Sequence, residues 1–312
     1  MKWIKEKTHI NFLGRTPRRV SIVIVATAIG ISVLSLATRG LDFGLDFTGG
    51  VLLEVAYPQA ADIEGIRATL DEAGFEDAQV QRFGTDTDVL LRLPPQPDAN
   101  PNSIRDRLSE TLSANDPDVQ IRRIEFVGPQ VGADLREKGA TAMIYATLMI
   151  FIYVMFRFQW KFAIGAVVAT AHDVIVVVGL FSIFGWQFDL TVLASVLAVI
   201  GYSLNDTVVV FDRVRENFSL LRGRTPEQVL NQSLNDTLSR TIMTGVTTLM
   251  VLASLYFIAG ETLKPFSLAL IIGVLVGTYS SIYVASASAL YLGITAQDLA
   301  PPQKDKLIDD LP

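Results

Sequence analysis

GYSLNDTVVVFDRVREN, residues 201–217, follows a stretch from Leu190 that is almost wholly apolar. Its Asn205 and Asp206 are succeeded, past Thr207, by Val208, Val209, Val210 and Phe211. A carboxyl group inside such a run decides how the chain is read. At the centre of a membrane span a charged Asp costs at least about 2.5–3.5 kcal/mol, so such a group faces a bundle interior, with a partner or water. Helical spacing sets Ser195, Val199, Tyr202 and Asp206 on one face. Ala194, Ala198, Gly201 and Asn205 form an adjoining face of small residues, suited to close helix contact.

Working outward, six runs are long and apolar enough to cross a bilayer: residues 19–37, 140–156, 162–184, 190–211, 241–259 and 265–290. The chain reads as a polytopic α-helical membrane protein with six transmembrane helices. The first run is too long for a signal peptide, and SLATRG after it lacks an Ala-x-Ala cleavage site, so it reads as a retained anchor. Basic residues set the orientation. Lys2, Lys5, Lys7, Arg15, Arg18 and Arg19 precede or open the first span; Arg157 and Lys161 lie between the second and third; Arg213, Arg215, Arg222, Arg224 and Arg240 lie between the fourth and fifth; Lys304 and Lys306 follow the sixth. The opposite loops are poor in them: GWQFD has none and GETLK only Lys264. The positive-inside rule then puts residues 1–18 and 291–312 in the cytoplasm, with a cytoplasmic loop over 212–240, and 38–139 outside.

The outside stretch is long enough for one small domain. Residues 51–57, 78–83, 87–93 and 119–127 read as strands, with GTDTD as a turn between the middle two. Ile63, Ile66, Leu70 and Ala73 share one helical face, and Ile104, Leu108 and Leu112 another after a helix start at Asn100 and Pro101. The order β-α-β-β-α-β predicts an α+β, ferredoxin-like domain between helices 1 and 2. Such a pattern names a fold and no chemistry. FGLDFTGG, residues 43–50, joins the first span to it. Gly44, Gly49 and Gly50 around Asp46 suit a tight backbone path, as a structural elbow or with a direct role for Asp46.

Further features lie at membrane depth or near it. In SRTIMTGVTTLM, Arg240, Thr244, Thr247 and Thr248 fall at i, i+4, i+7 and i+8 and make a stripe that faces Asp206 in the expected bundle. An Arg at its mouth would stabilise the ionised carboxylate, and protonation would release it, which makes a two-state switch; a static salt bridge or a snorkelling Arg240 is the plainer alternative. His172 and Asp173 sit near the middle of the third span, where ionisable groups are candidates for the proton path or helix braces. Gly273, Gly277 and Ser281 form a ridge of small residues for packing. In the cytoplasmic loop, Thr225-Pro226-Glu227 starts what reads as a short interfacial helix.

Composition excludes several classes. The chain has 312 residues, a net charge of −6 and a mean hydropathy of +0.39. No basic stripe interleaved with aromatics suggests nucleic acid. Without cysteine there is no disulfide or thiolate metal site, and His9 and His172 are too few for a His-rich one. No metal or organic cofactor is expected, and protons are the ions of interest. An intramembrane protease would need a Gly-x-Gly-Asp pair, a Ser-His set or a His-Glu-x-x-His site, and none is present.

FGLDFTGG, AHDVIVVVGLF (171–181), GYSLNDTVVVFDRVREN and SLNDTLSRTIMTGVTTL (233–249), in this order around six spans, closely resemble the SecD/SecF family of protein-export membrane subunits, within the resistance-nodulation-division superfamily. The resemblance runs from about residue 11 to 292. It implies a bacterial inner-membrane half-transporter whose second half is SecD, working with the SecYEG channel and YajC. The pair uses the proton motive force to draw an exported, unfolded polypeptide outward. It also implies that the proton-linked carboxylate is Asp206, beside Asn205, and that its linked Arg is Arg240. The principal rival is a proton-coupled small-molecule or lipid efflux half-transporter of the same superfamily; a scaffold without ion movement is a third reading.

Overall fold

The structure is a computed structural model that describes residues 8–95 and 101–295. Lys2, Lys5, Lys7, Asn100, Lys304 and Lys306 lie outside the described residues.

The elements run α1 (Arg15–Thr38), β1 (Asp42–Phe43), α2 (Leu45–Thr48), β2 (Gly50–Ala56), α3 (Ile63–Glu72), β3 (Gln79–Phe83), β4 (Thr85–Leu93), α4 (Pro101–Asn115), β5 (Gln120–Val127), α5 (Pro129–Arg157), α6 (Trp160–Phe184), β6 (Gln187–Phe188), α7 (Leu190–Leu220), α8 (Pro226–Ile258), a 3₁₀ turn (Glu261–Leu263), α9 (Lys264–Ser280), a π turn (Ser281–Ala285) and α10 (Ser286–Tyr291). Six helical stretches among the described residues are long and apolar enough to span a membrane, so this is a multi-pass helical membrane protein.

The outer helix α1 is built inside out relative to a helix of a soluble bundle. On α1 the buried residues are Ser21, Ser32 and Ser35, while Val20, Ile22, Val23, Ile24, Ile31, Val33 and Leu34 are exposed. Lipid is as apolar as leucine, so no hydrophobic gain pulls helices together, and small residues that permit close approach take the interface. Ser35 Oγ lies 2.9 Å from Ser182 Oγ of α6, and Tyr279 Oη donates to Ser21 Oγ at 3.0 Å. The interior helices α6, α7 and α9 are about half buried, whereas α1, α5 and α8 are mostly uncovered within this chain. The Gly273–Gly277 ridge packs on α7, where a Cβ at Gly273 would overlap Val199 and one at Gly277 would stand 3.1 Å from Ser203 Cβ.

Two helices differ from expectation at their ends. α5 begins at Pro129, not at 140, because its polar first turns stand outside the apolar run. The expected short interfacial helix is the start of α8 itself. Thr225 and Gln228 cap it reciprocally, and it continues unbroken into the span. Its first turns bury Val229, Leu230 and Leu234 in one cluster with Val214 and Phe218 of α7.

Outside the bundle, β3-β4-β2-β5 form a sheet whose neighbours are all antiparallel. Alternation sends Val51, Leu53 and Val55 of β2 into a core shared with Ile66, Leu70, Ile104, Leu108 and Leu112 of α3 and α4. The turn between β3 and β4 is tighter than GTDTD suggests: Gly84 takes φ 79° and Thr85 already belongs to β4. A second, two-stranded sheet pairs β1 with β6 in parallel, tying the elbow to the loop before α7.

Candidate functional site

The elbow is fixed by close approach. Gly49 (φ 70°) and Gly50 (φ 124°) adopt conformations that L side chains rarely take. A Cβ at Gly49 would lie 2.9 Å from Pro129 Cα, and one at Gly50 would meet the Leu93 carbonyl oxygen. A Cβ at Gly44 would lie 2.8 Å from Asp189 Cβ. Arg92 of β4 donates to the Phe43 carbonyl and, at 3.0 Å, to Thr48 Oγ1, so the sheet grips the elbow from the other side. Asp46 accepts a hydrogen bond from Leu190 N at 2.9 Å. Asp189 accepts from Val192 N at 2.8 Å. Two carboxylates, one from the elbow, therefore satisfy the amides that open α7, where the helix dipole favours negative charge.

Along α7, Asp206 lies about 24 Å from that end at 1.5 Å per residue. It is 3% exposed, and its Oδ2 has no hydrogen-bond partner in the protein. One turn earlier on the same face stands Tyr202, whose hydroxyl is also buried. The face with Ser195 and Val199 is thus inward. The adjoining face is not: Ala194, Ala198, Gly201 and Asn205 are exposed within this chain. Asn205 points away from the interior that holds Asp206, so a close contact on this small-residue face would be with a helix outside this chain. Helical spacing named two faces, and the bundle used one.

The α8 stripe is divided in the same way. Arg240 is exposed and makes no ion pair with Asp206 at 4.0 Å or less, although its charge acts on that carboxyl. Thr247 is exposed too, and donates to the carbonyls of Met243 and Thr244. Thr244 and Thr248 approach the Tyr202 hydroxyl. Their own protons turn back along the helix, Thr248 to Thr244 O at 2.8 Å and Thr244 to Thr241 O at 3.0 Å.

His172 and Asp173 form a separate network deeper in the bundle. They are 4% and 0% exposed, and His172 Nδ1 lies 2.9 Å from Asp173 Oδ1. Asp173 Oδ2 accepts from Ser203 Oγ of α7 at 2.5 Å and from Ser280 Oγ of α9 at 2.8 Å. One carboxyl thus holds three helices. Ser203 and Ser280 were not anticipated from sequence; their only signal is that each is a small polar residue next to a motif, Asn205-Asp206 for one and the Gly273–Gly277 ridge for the other.

Above the bundle, a cleft of about 530 Å³ separates the sheet from the span ends, with Asp46, Glu54, Glu125, Asp189 and Glu261 on its walls. No group of three or more His, Cys, Asp or Glu residues suited to a metal ion occurs among the described residues.

Comparison with known proteins agrees with this arrangement. Residues 107–295 match the family described as protein export membrane protein SecD/SecF, C-terminal, and residues 34–61 match the SecD/SecF GG motif, which contains the elbow. Protein translocase subunit SecF of Pseudomonas aeruginosa is 48% identical over 97% of this chain and 98% of its own length. The subunit of the same name from Vibrio alginolyticus is 46% identical over 97% of this chain and 96% of its own. The crystal structure of SecDF, a translocon-associated membrane protein from Thermus thermophilus, superposes with a TM-score of 0.82 at 36% identity. The match covers 91% of this chain, which spans 39% of that longer one. SecDF in its Super-membrane-facing form superposes at 0.67 with the same identity, over 92% of this chain and 39% of that one.

Proposed function

The chain belongs to the SecD/SecF family of protein-export membrane proteins, and on that premise we propose that this accessory subunit of the Sec translocase works with SecD to couple the proton motive force to the late stage of preprotein export. The observation that carries the coupling is Asp206: a carboxyl in the middle of a span, buried, with an oxygen that no protein group satisfies. A static brace would have its partners, as Asp173 does; an open oxygen is suited to gaining and losing a proton.

The energetics suffice. One charge crossing 100 mV releases about 2.3 kcal/mol. That biases a two-state packing roughly fiftyfold. The two solved SecDF forms match this chain at TM-scores of 0.82 and 0.67 with equal identity, which supports more than one arrangement in the family. In this reading Arg240 stabilises ionised Asp206 when the packings exchange, and Asn205 belongs to the face toward the second half. Residues 194, 198, 201 and 205 leave a stripe of small side chains uncovered within this chain, and SecD covers it. The Asp173 network holds α6, α7 and α9 together as a unit that moves. The outside domain is a ferredoxin-like split unit: its element order and the sheet order β3-β4-β2-β5 support that assignment. It stands in the periplasm, with both termini in the cytoplasm, and the complex engages SecYEG and YajC in the inner membrane. The exported chain is the substrate, and the subunit performs no bond chemistry.

The partner assignment is tested by mild solubilisation of native membranes and capture on this chain. SecD is expected in stoichiometric yield, with SecYEG at lower yield. A homotrimer free of SecD would point instead to the efflux rival.

The elbow supplies the transmission. Because Asp46 caps the helix that carries Asp206, movement of α7 and of the outside domain are linked. Asp46→Ala removes the hydrogen bond that the elbow supplies to the first amide of α7, worth about 0.5–1.5 kcal/mol. Export assistance is expected to fall several-fold while SecD still copurifies. Full activity in that variant would detach the elbow from the mechanism.

A further inference from the structure

Strand β4 reaches from one anchor of the outside domain to another. Its nine residues cover about 27 Å at 3.4 Å per residue. At the Leu93 end, Arg92 grips the elbow, and Asp46 of the elbow accepts a hydrogen bond from the first amide of α7. At the Thr85 end, the turn from β3 meets the 3₁₀ turn between α8 and α9. A Cβ on Gly84 would lie 3.2 Å from Glu261 Cγ and 3.5 Å from its Oε1. The stem of Glu261 therefore lies against bare backbone. The cleft between sheet and span ends has both Asp46 and Glu261 on its walls, so the domain bridges this space instead of filling it. The anchors differ in kind. Hydrogen bonds hold the elbow. The second contact is packing alone, because the Glu261 carboxylate is paired with Lys264 of its own segment. A few atom contacts are individually weak, and breaking them strands no polar group. The anchors also reach different helices: the elbow is tied to the start of α7, which carries Asp206, and Glu261 follows the end of α8, which carries Arg240.

We propose that the contact of Gly84 with Glu261 is a latch of the outside domain, closed in this structure and opened when α7 and α8 shift against one another, with the elbow as its hinge. This rests on the reading of Asp206 as the titrating group that drives such a shift. A sheet held at two points cannot follow two helices separately. Relative movement of α7 and α8 therefore strains both anchors, and the weaker one gives way. Glycine is required at the latch twice over: the turn needs its φ of 79°, and the Glu261 stem needs the space of the missing side chain. The elbow alone would tie the domain to α7; the latch makes its position depend on α8 as well.

The chain has no cysteine, so a designed pair is unambiguous within it. In Gly84→Cys/Glu261→Cys one sulfur takes the place of Glu261 Cγ, within disulfide reach of the other. The full chain carrying the pair is placed with SecD and the channel in vesicles, and gradient-driven movement of a precursor is followed in the oxidised and reduced states. Movement is expected to fall to the level seen without this subunit when the disulfide forms, and to return on reduction. Gly84→Asn tests the closed state. Asparagine tolerates positive φ, so the turn survives, but its Cβ crowds Glu261. Movement should fall several-fold, and adding Glu261→Ala should restore most of it. Full movement with the disulfide formed overturns the proposal, because the contact would then never need to open. A pair that does not oxidise overturns it as well, because the contact would then not be made, and so does a Gly84→Asn variant that Glu261→Ala fails to rescue. Movement of the unaltered complex that ignores the gradient would instead overturn the reading beneath it.

Discussion

Asp206→Asn is expected to reduce proton-motive-force-dependent export to the level seen without this subunit, while the complex with SecD stays intact. The substitution keeps the shape and the hydrogen-bonding capacity of the side chain and removes its titration. Cost to the fold is small, because Oδ2 has no protein partner to lose. An amide at that depth is also cheaper than a charge, so the variant should be no less stable than the original. Function and stability therefore separate at this residue: near-total loss of one, little change in the other. The measurement is export of a precursor in cells where this is the sole copy, alongside quantification of SecD recovered with the variant. Ordinary export with full recovery would return Asp206 to a structural role.

Asp173→Ala is expected to do the opposite and damage the fold first. The carboxyl is fully buried and satisfies Ser203, Ser280 and His172 together. Interhelical hydrogen bonds within membranes average only about 0.6 kcal/mol, so the two to Ser203 and Ser280 alone would cost about 1 kcal/mol. Leaving buried polar groups unpaired costs about 1–3 kcal/mol for each, because the groups left behind have no water to turn to. The second term dominates here, since no polar neighbour besides these three serves the carboxyl. Thermal unfolding of the purified variant in detergent should show it, and Asp173→Asn should restore most of the loss. A destabilisation below about 1 kcal/mol would mean that the network does not brace the bundle. If Asp173→Asn folded normally yet halted export, Asp173 and His172 would belong on the proton path after all.

The spans were legible because bilayer thickness imposes a length on apolar runs that no loop satisfies by chance. The ends were not. α5 and α8 carry polar turns beyond the membrane, and those turns are held by contacts that hydropathy does not register, such as Val229 and Leu230 of α8 against Val214 of α7. Asp206 announced itself through cost: a carboxyl in a span demands an explanation wherever it points. Asn205 next to it lies on a face left open within this chain, because the periodicity of one helix names faces without naming the neighbour each one meets. The same limit applies to Arg240 and Thr247, which share a stripe in sequence and lie exposed in the fold. Ser203 and Ser280 were invisible for a further reason. A serine costs little in a span, bonds to its own helix or to another with equal ease, and gains meaning only when three helices converge on Asp173. The glycines of the elbow were readable as a tight path, but the capping of α7 by Asp46 joins residues that are distant in sequence, and no local pattern encodes it.

The central claim is that the proton gradient acts through this chain. The most direct test holds a precursor part-way through the channel in vesicles containing the unaltered complex, withdraws ATP, and then imposes or collapses the proton gradient with a protonophore. Forward movement of the precursor is predicted only while the gradient stands, and no movement under either condition with Asp206→Asn. Equal movement with and without the gradient would contradict the account.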